Sequence, residues 1–141
     1  MGIGIVVRDH SGFVIAAQGK RTTGLPEPVH AEAMGALVAA ELSRDLGLPD
    51  VIMEGDSLQV VQSLRNMSPN WSPYGKIIKD ARGILYTRRS WMVSHVKREA
   101  NSAAHHLAKN AFTMSLDRVW MEECPQCIVS IVSLEHIALD V

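Results

Sequence analysis

The sequence is short of the features that assign a protein quickly. Of its 141 residues only two are cysteines, Cys124 and Cys127. That excludes a disulfide framework and makes a reducing compartment the default. No apolar run reaches the ~18 residues of a membrane span. No charged-then-apolar leader opens the chain. The start resembles a myristoylation site only in Gly2, because Val6 stands where Ser or Thr is wanted. An excess of charge is missing too: the net charge is −1, which excludes a global basic field. Any nucleic-acid surface must therefore be local. The expectation is an intracellular, soluble protein, with nucleus and cytoplasm not distinguished.

What is present is a core. The chain is 47% hydrophobic and 21% charged, a composition that folds rather than stays disordered. Ile3, Ile5, Val6 and Val7 lie in an apolar run from Gly2 to Arg8. The turn Asp9-His10-Ser11-Gly12 and the run Phe13 to Ala17 follow, which together read as a β-hairpin. Gly24 to Pro28 reads as a loop. Val29 to Leu46 carries Ala33, Ala36, Leu37 and Ala40 at helical spacing, with Gly47 as its stop. Val51 to Asp56 is a short strand, and Ser57 fits the N-cap of a second helix with Leu58, Val61 and Leu64. Asn66 to Ser72 is a polar loop. Pro73 opens a third helix whose apolar face holds Ile77, Ile78, Ala81, Ile84 and Leu85. Trp91 to Val96 is a strand, Lys97 to Ala100 a charged loop, and Asn101 to Phe112 a last helix. Strands and helices interleave, which gives an α/β domain. In the tail from about Asp117, Ile128 to Val132 reads as an extra strand or a partner-facing segment.

Two acids stand where chemistry gathers. Glu32 is near the start of the first long helix, and Asp56 ends a strand just before a helix, the sheet edge where ligands collect. Such a pair can share Mg²⁺, a hard cation that takes oxygen ligands, and two metals can clamp a phosphodiester. The plainer alternative makes Glu32 a first-turn acid complementing the helix dipole and Asp56 a turn residue.

The wider pattern bears on that choice. Gly2 to Asp9, His30-Ala31-Glu32-Ala33, Glu54-Gly55-Asp56-Ser57, Ser94 to Asn101 and His105 to Lys109 together resemble the ribonuclease H superfamily, in particular the plant-type, reverse-transcriptase-associated domain. The resemblance spans roughly residues 2 to 112. It implies an RNase H-like mixed sheet flanked by helices over 1–112, with 113–141 as a tail. It also implies Mg²⁺- or Mn²⁺-dependent cleavage of the RNA strand of an RNA–DNA hybrid. Of the family's four acidic positions, Glu32 and Asp56 match two as catalytic, metal-holding residues. His105 falls on the fourth, where plant-type members carry Asp or His; it suits proton transfer better than Mg²⁺ binding. The first aspartate should end a strand at the middle of the sheet, and this sequence contains neither. The expectations are weak or absent activity, a truncated product or gene model, and self-association through unpaired strand edges. The tail strand Ile128 to Val132 is one candidate to fill the gap.

Arg88, Arg89, Lys97 and Arg98 frame the strand at Trp91 as candidate phosphate contacts, against the alternative of a solvated rim. Recognition of a hybrid would rest on groove shape and 2′-OH contacts. His95 ends a strand in an apolar context and reads as a structural, hydrogen-bonded histidine; Trp71 and Trp91 could stack on bases, with partial burial the commoner fate of tryptophan. Cys124-Pro125-Gln126-Cys127 has zinc-like spacing, but with His136 it offers only three of four ligands. Two rivals remain: a non-catalytic nucleic-acid-binding module, and a structural or interaction remnant of a retroelement-derived protein.

Overall fold

In the computed structural model the chain runs β1 (Gly2–Arg8), β2 (Val14–Arg21), α1 (Pro28–Asp45), β3 (Asp50–Gly55), α2 (Leu58–Arg65), α3 (Gly75–Leu85), β4 (Ser90–His95), α4 (Ser102–Thr113), β5 (Asp117–Met121) and α5 (Val129–Leu139). Single 3-10 turns at Arg98–Asn101 and Gln126–Ile128 precede α4 and α5. The structure describes residues 1–23, 27–66, 69–115 and 117–139, without the side chains of 135–139. The loop read at Gly24 to Pro26 and part of the Asn66 to Ser72 loop lie outside these residues. The elements fall into two units, residues 1–24 with 102–141, and residues 25–101.

The first unit is built on an antiparallel sheet in the order β1-β2-β5. Its hairpin turn is set by Asp9, whose Oδ1 accepts from the Ser11 and Phe13 amides at 2.9 and 3.1 Å. Gly12 sits at φ 87°, a region only glycine enters freely. Helix α4 packs on β1 at unusually short range. A Cβ on Gly2 or Gly4 would fall 1.8 Å from the Ala108 carbonyl oxygen or 2.2 Å from that of Ala104. The core is Ala17, Ala103, Leu107, Trp120 and Ile128.

The tail corrects the expectation from sequence. Ile128 to Val132 is not a strand: it closes a 3-10 turn and opens α5. Ile128 is fully buried, so its apolar character serves packing under α4 and β2 rather than a sheet. The tail strand is β5, which pairs with β2 from Ala16↔Met121 to Lys20↔Asp117. It occupies the side of β2 away from β1, so it fills no gap beside β1.

The second unit holds a two-stranded parallel sheet, β3 with β4, from Asp50↔Ser90 to Gly55↔His95. Ala33, Ala36 and Ala40 of α1 pack with Val60, Val61 and Leu64 of α2, Ile78, Ala81 and Leu85 of α3, and Val93. Small residues on α1 let α3 approach closely. Gly47 ends α1 at φ 67°; its amide donates to Arg44 O and that of Leu48 to Ser43 O at 3.0 Å, closing the expected glycine stop. Arg65 donates from Nε and Nη2 to the Val93 carbonyl at 3.0 and 2.6 Å, which ties α2 to β4. Among the described residues each sheet has two edge strands with no further partner, β1 and β5 in one and β3 and β4 in the other. No helix is long and apolar enough to cross a membrane among the described residues.

Two glycines separate contact from conformation. Gly4→Ala is expected to destabilise the fold by about 1–3 kcal/mol through overpacking. Gly83→Ala, in α3 with nothing within 4 Å of the added methyl, is expected to gain roughly 0.5–1 kcal/mol. Urea unfolding of the two variants measures both.

Candidate functional site

Parallel pairing carries β3 to Gly55, and Asp56 is the next residue. The turn there is fixed from three sides. The Val96 amide donates to the Gly55 carbonyl at 3.0 Å. His95 Nε2 lies 3.2 Å from the Asp56 carbonyl oxygen. Ser57 accepts from the Val60 amide at 3.3 Å and caps α2. His95 is thus hydrogen-bonded, although it is exposed rather than set in an apolar context. Its partner was not readable from sequence, because the contact joins parallel strands.

Glu32 lies on α1. The helix begins at Pro28 and has no acid in its first turn, so Glu32 is past the reach of a first-turn dipole effect. The structure brings it to Asp56. Burial among surrounding protein atoms pushes the Glu32 carboxyl above its ordinary value of 4.5; the Asp56 charge pushes it further, and Arg98 opposes. Glu32 is nonetheless exposed and Asp56 half-buried, so these are surface carboxylates with partial desolvation, not core residues. Two carboxylates that repel in this way suit a shared cation, which relieves both. Among the described residues no third His, Cys, Asp or Glu joins them as a metal-holding group.

The basic residues divide between the two ends of β4. Arg88 and Arg89 stand at its start, beside Asp50 and away from Asp56. Arg88 Nη1 donates to the Leu48 carbonyl at 3.1 Å. Arg89 forms a two-pronged ion pair with Asp50, whose Oδ1 accepts from Nε at 3.0 Å and from the Ser90 hydroxyl at 2.7 Å. These bonds hold the Asp50 carboxyl below its usual range. Lys97 and Arg98 follow the other end of β4, on the side of Asp56, and both are exposed. His105 belongs to the other unit, exposed on α4 with its ring 6.4 Å from that of His106. Cys124 is half-buried and Cys127 exposed, and no metal-holding group forms around them among the described residues. His136 lies beyond the described side chains.

Sequence reasoning passed over His30. It is buried on the first turn of α1, its ring meeting Tyr74 edge-to-face at 5.8 Å. Its Nδ1 makes no hydrogen bond among the described residues. The signal available was a polar residue at an inward position beside Ala33.

A family model described as reverse transcriptase-like matches residues 1–111. An RNase H1 from the halophilic archaeon Halobacterium salinarum NRC-1 is 28% identical with a TM-score of 0.72, covering 82% of this chain and 86% of its own. The N-terminal RNase H domain of a Mycobacterium tuberculosis protein, solved as a fusion with maltose binding protein, is 23% identical with a TM-score of 0.73. That match covers 81% of this chain and 83% of that one, and it bears on the fold alone. None of the curated proteins matches.

The raised Glu32 pKa fixes a sign. Stability linked to this group is fully present below its ordinary 4.5 and is lost as pH rises through the higher folded value. Glu32→Gln is therefore expected to gain stability over the parent at about pH 7 and to lose that advantage near pH 4. Asp56→Asn is expected to lower the Glu32 pKa in a carboxyl NMR titration; an unmoved pKa would contradict the coupling.

Proposed function

The chain belongs to the reverse transcriptase-like family and has an RNase H-like fold, and from that premise we propose that it binds RNA–DNA hybrids with weak or no hydrolytic activity of its own. The supporting observation is the electrostatic coupling of Glu32 and Asp56 at the strand end of the second unit. The solved relative at 28% identity is an RNase H1, and hybrid recognition comes to this chain by that likeness.

Glu32 and Asp56 would hold Mg²⁺ or Mn²⁺. Magnesium commonly binds through one or two carboxylates plus substrate phosphates, so a two-acid site fits a cation that arrives with nucleic acid. When bound, it would neutralise charge developing at the scissile phosphate. The acids' own part is to fix the cation's place on the strand end. Arg98 and Lys97 take backbone phosphates beside it, as positioning contacts without sequence readout. His105 is proposed as a proton carrier rather than a ligand. Arg88 and Arg89 remain weaker candidates, since their donors already serve Leu48 and Asp50. Among the described residues only two carboxylates form the site, which leaves it short of charge and ligands, and activity is therefore expected to be weak. The same shortage favours a second reading, a hybrid-binding module without catalysis.

A labelled hybrid separates these readings. Binding is expected to weaken steeply with salt. Lys97→Ala or Arg98→Ala is expected to reduce the salt slope by about one each, and Arg88→Ala or Arg89→Ala by less. Cleavage in Mg²⁺ or Mn²⁺ that is abolished by Glu32→Ala or Asp56→Ala would overturn the expectation of weak activity. Absence of binding at low salt would overturn the proposal as a whole.

A further inference from the structure

Trp71 is 91% exposed, more than any other large hydrophobic side chain among the described residues. The other two tryptophans are occupied. Trp91 meets Tyr86 edge-to-face at 5.4 Å, and Trp120 is buried with the Arg118 guanidinium 5.0 Å from its ring centroid. An indole carries one of the largest hydrophobic payloads of any side chain, so one left in water at a fixed position is a cost to the fold.

The position is fixed. Asn70 Oδ1 accepts from the Ser72 amide at 2.9 Å and from the Ser72 hydroxyl. The Gly75 amide donates to the Ser72 carbonyl at 2.9 Å. Gly75 lies so close to Asn70 that a Cβ there would stand 2.1 Å from the Asn70 carbonyl oxygen. Pro69 and Pro73 bracket the segment. Three residues on, Tyr74 is buried, its ring against His30 and its hydroxyl accepting from Gln59 Nε2 at 2.6 Å. His30 sits two residues before Glu32 on α1, and Gln59 three residues after Asp56 on α2. The loop that presents the indole is braced on the two helices that carry or follow the acids.

The surroundings select among partners. In sequence Trp71 is flanked by Asn70 and Ser72 and then by Pro69 and Pro73, with no large apolar side chain among these four, whereas protein interfaces use contiguous apolar patches. Lys76 and Lys79 are exposed on α3 just beyond it, with Asp80 beside them, and neither lysine is ion-paired among the described residues. An exposed aromatic followed on the next helix by unpaired cationic side chains matches a nucleobase with its phosphates. Bases inside a duplex are covered by their neighbours and offer no free face; unpaired bases do.

We infer that Trp71 is a stacking platform for an unpaired nucleobase flanking the duplex engaged at Glu32 and Asp56, with Lys76 and Lys79 receiving the adjacent phosphates. The inference rests on the nucleic-acid reading above and adds a substrate preference to it: hybrids with a single-stranded extension over blunt ones.

The test uses two probes with the full chain, a blunt RNA–DNA hybrid and the same hybrid carrying a short single-stranded oligothymidylate extension. The readout is the ratio of their affinities. The expected ratio favours the extended probe by roughly five-fold or more, the size of one base–aromatic stack. Trp71→Phe keeps a ring and is expected to keep the preference, whereas Trp71→Ala brings the ratio to about one. Tryptophan emission of the parent is expected to fall on adding the extended probe, and that response is lost in Trp71→Phe. Blunt-hybrid binding with no preference in the parent overturns this inference and leaves the hybrid-binding reading intact. No binding of either probe at low salt overturns both. A ratio unmoved by Trp71→Ala, or Trp71 emission that follows protein concentration rather than oligonucleotide, overturns stacking in favour of a protein contact.

Discussion

Parallel pairing of β3 with β4 stops at Gly55↔His95, and Asp56 is the first residue past the ladder. That placement gives the carboxylate its character. Its backbone is held by the strands through the His95 contact, while its side chain stands at the open end of the sheet, half-buried. Ser57 then turns the chain into α2 at once, so no slack separates strand from helix. Glu32 reaches the same place by a different route, through the alanine face that seats α1 against α3. The two acids meet because helix packing and strand pairing converge, and the Asp56 charge adds to partial desolvation in raising the Glu32 pKa.

The other unit depends on a steric constraint rather than an electrostatic one. Gly2 and Gly4 alternate along β1, on one face of the strand, and α4 fills the space their missing side chains leave. Backbone carbonyls of Ala104 and Ala108 come to rest on the strand itself. β2 and β5 extend the sheet from the opposite side. Among the described residues β1 therefore has one edge paired, one face filled by a helix, and one edge without a partner. Among the described residues the antiparallel sheet has only three strands, which agrees with an RNase H-like core short of a strand.

Local signals were legible wherever chemistry and geometry lie within a few residues. Asp9 through Gly12 makes the turn its residue types demand, Gly47 takes the left-handed conformation that stops α1, and Ser57 caps α2. Ile128 to Val132 failed because a short β-branched run is as apolar in a buried helix as in a strand. The burial of Ile128 under α4 and β2 decided between them. Glu32 and Asp56 were legible as a pair only through the family pattern, since spacing does not encode which helix face meets which strand end. Trp71 was the opposite case: its residue type predicted burial, and the bracing of the 70–75 loop put it in water. Arg88 and Arg89 look in sequence like Lys97 and Arg98, and only strand direction shows that the two pairs lie at opposite ends of β4.

A parallel pair has no connecting turn to count residues, so something else must set its phase. In this protein both ends are marked. Asp50 accepts from Arg89 and Ser90 at the origin, and Asp56 accepts from His95 at the terminus. A slip of one residue would have to break both marks together, and it would exchange inward Val93 for outward Met92. Arg89 thus acts as the zero of a scale on which Asp56 is the far reading. Inserting or deleting a residue within β3, between Asp50 and Asp56, would move the acid off the strand end, even if every side chain that touches it were left as it is.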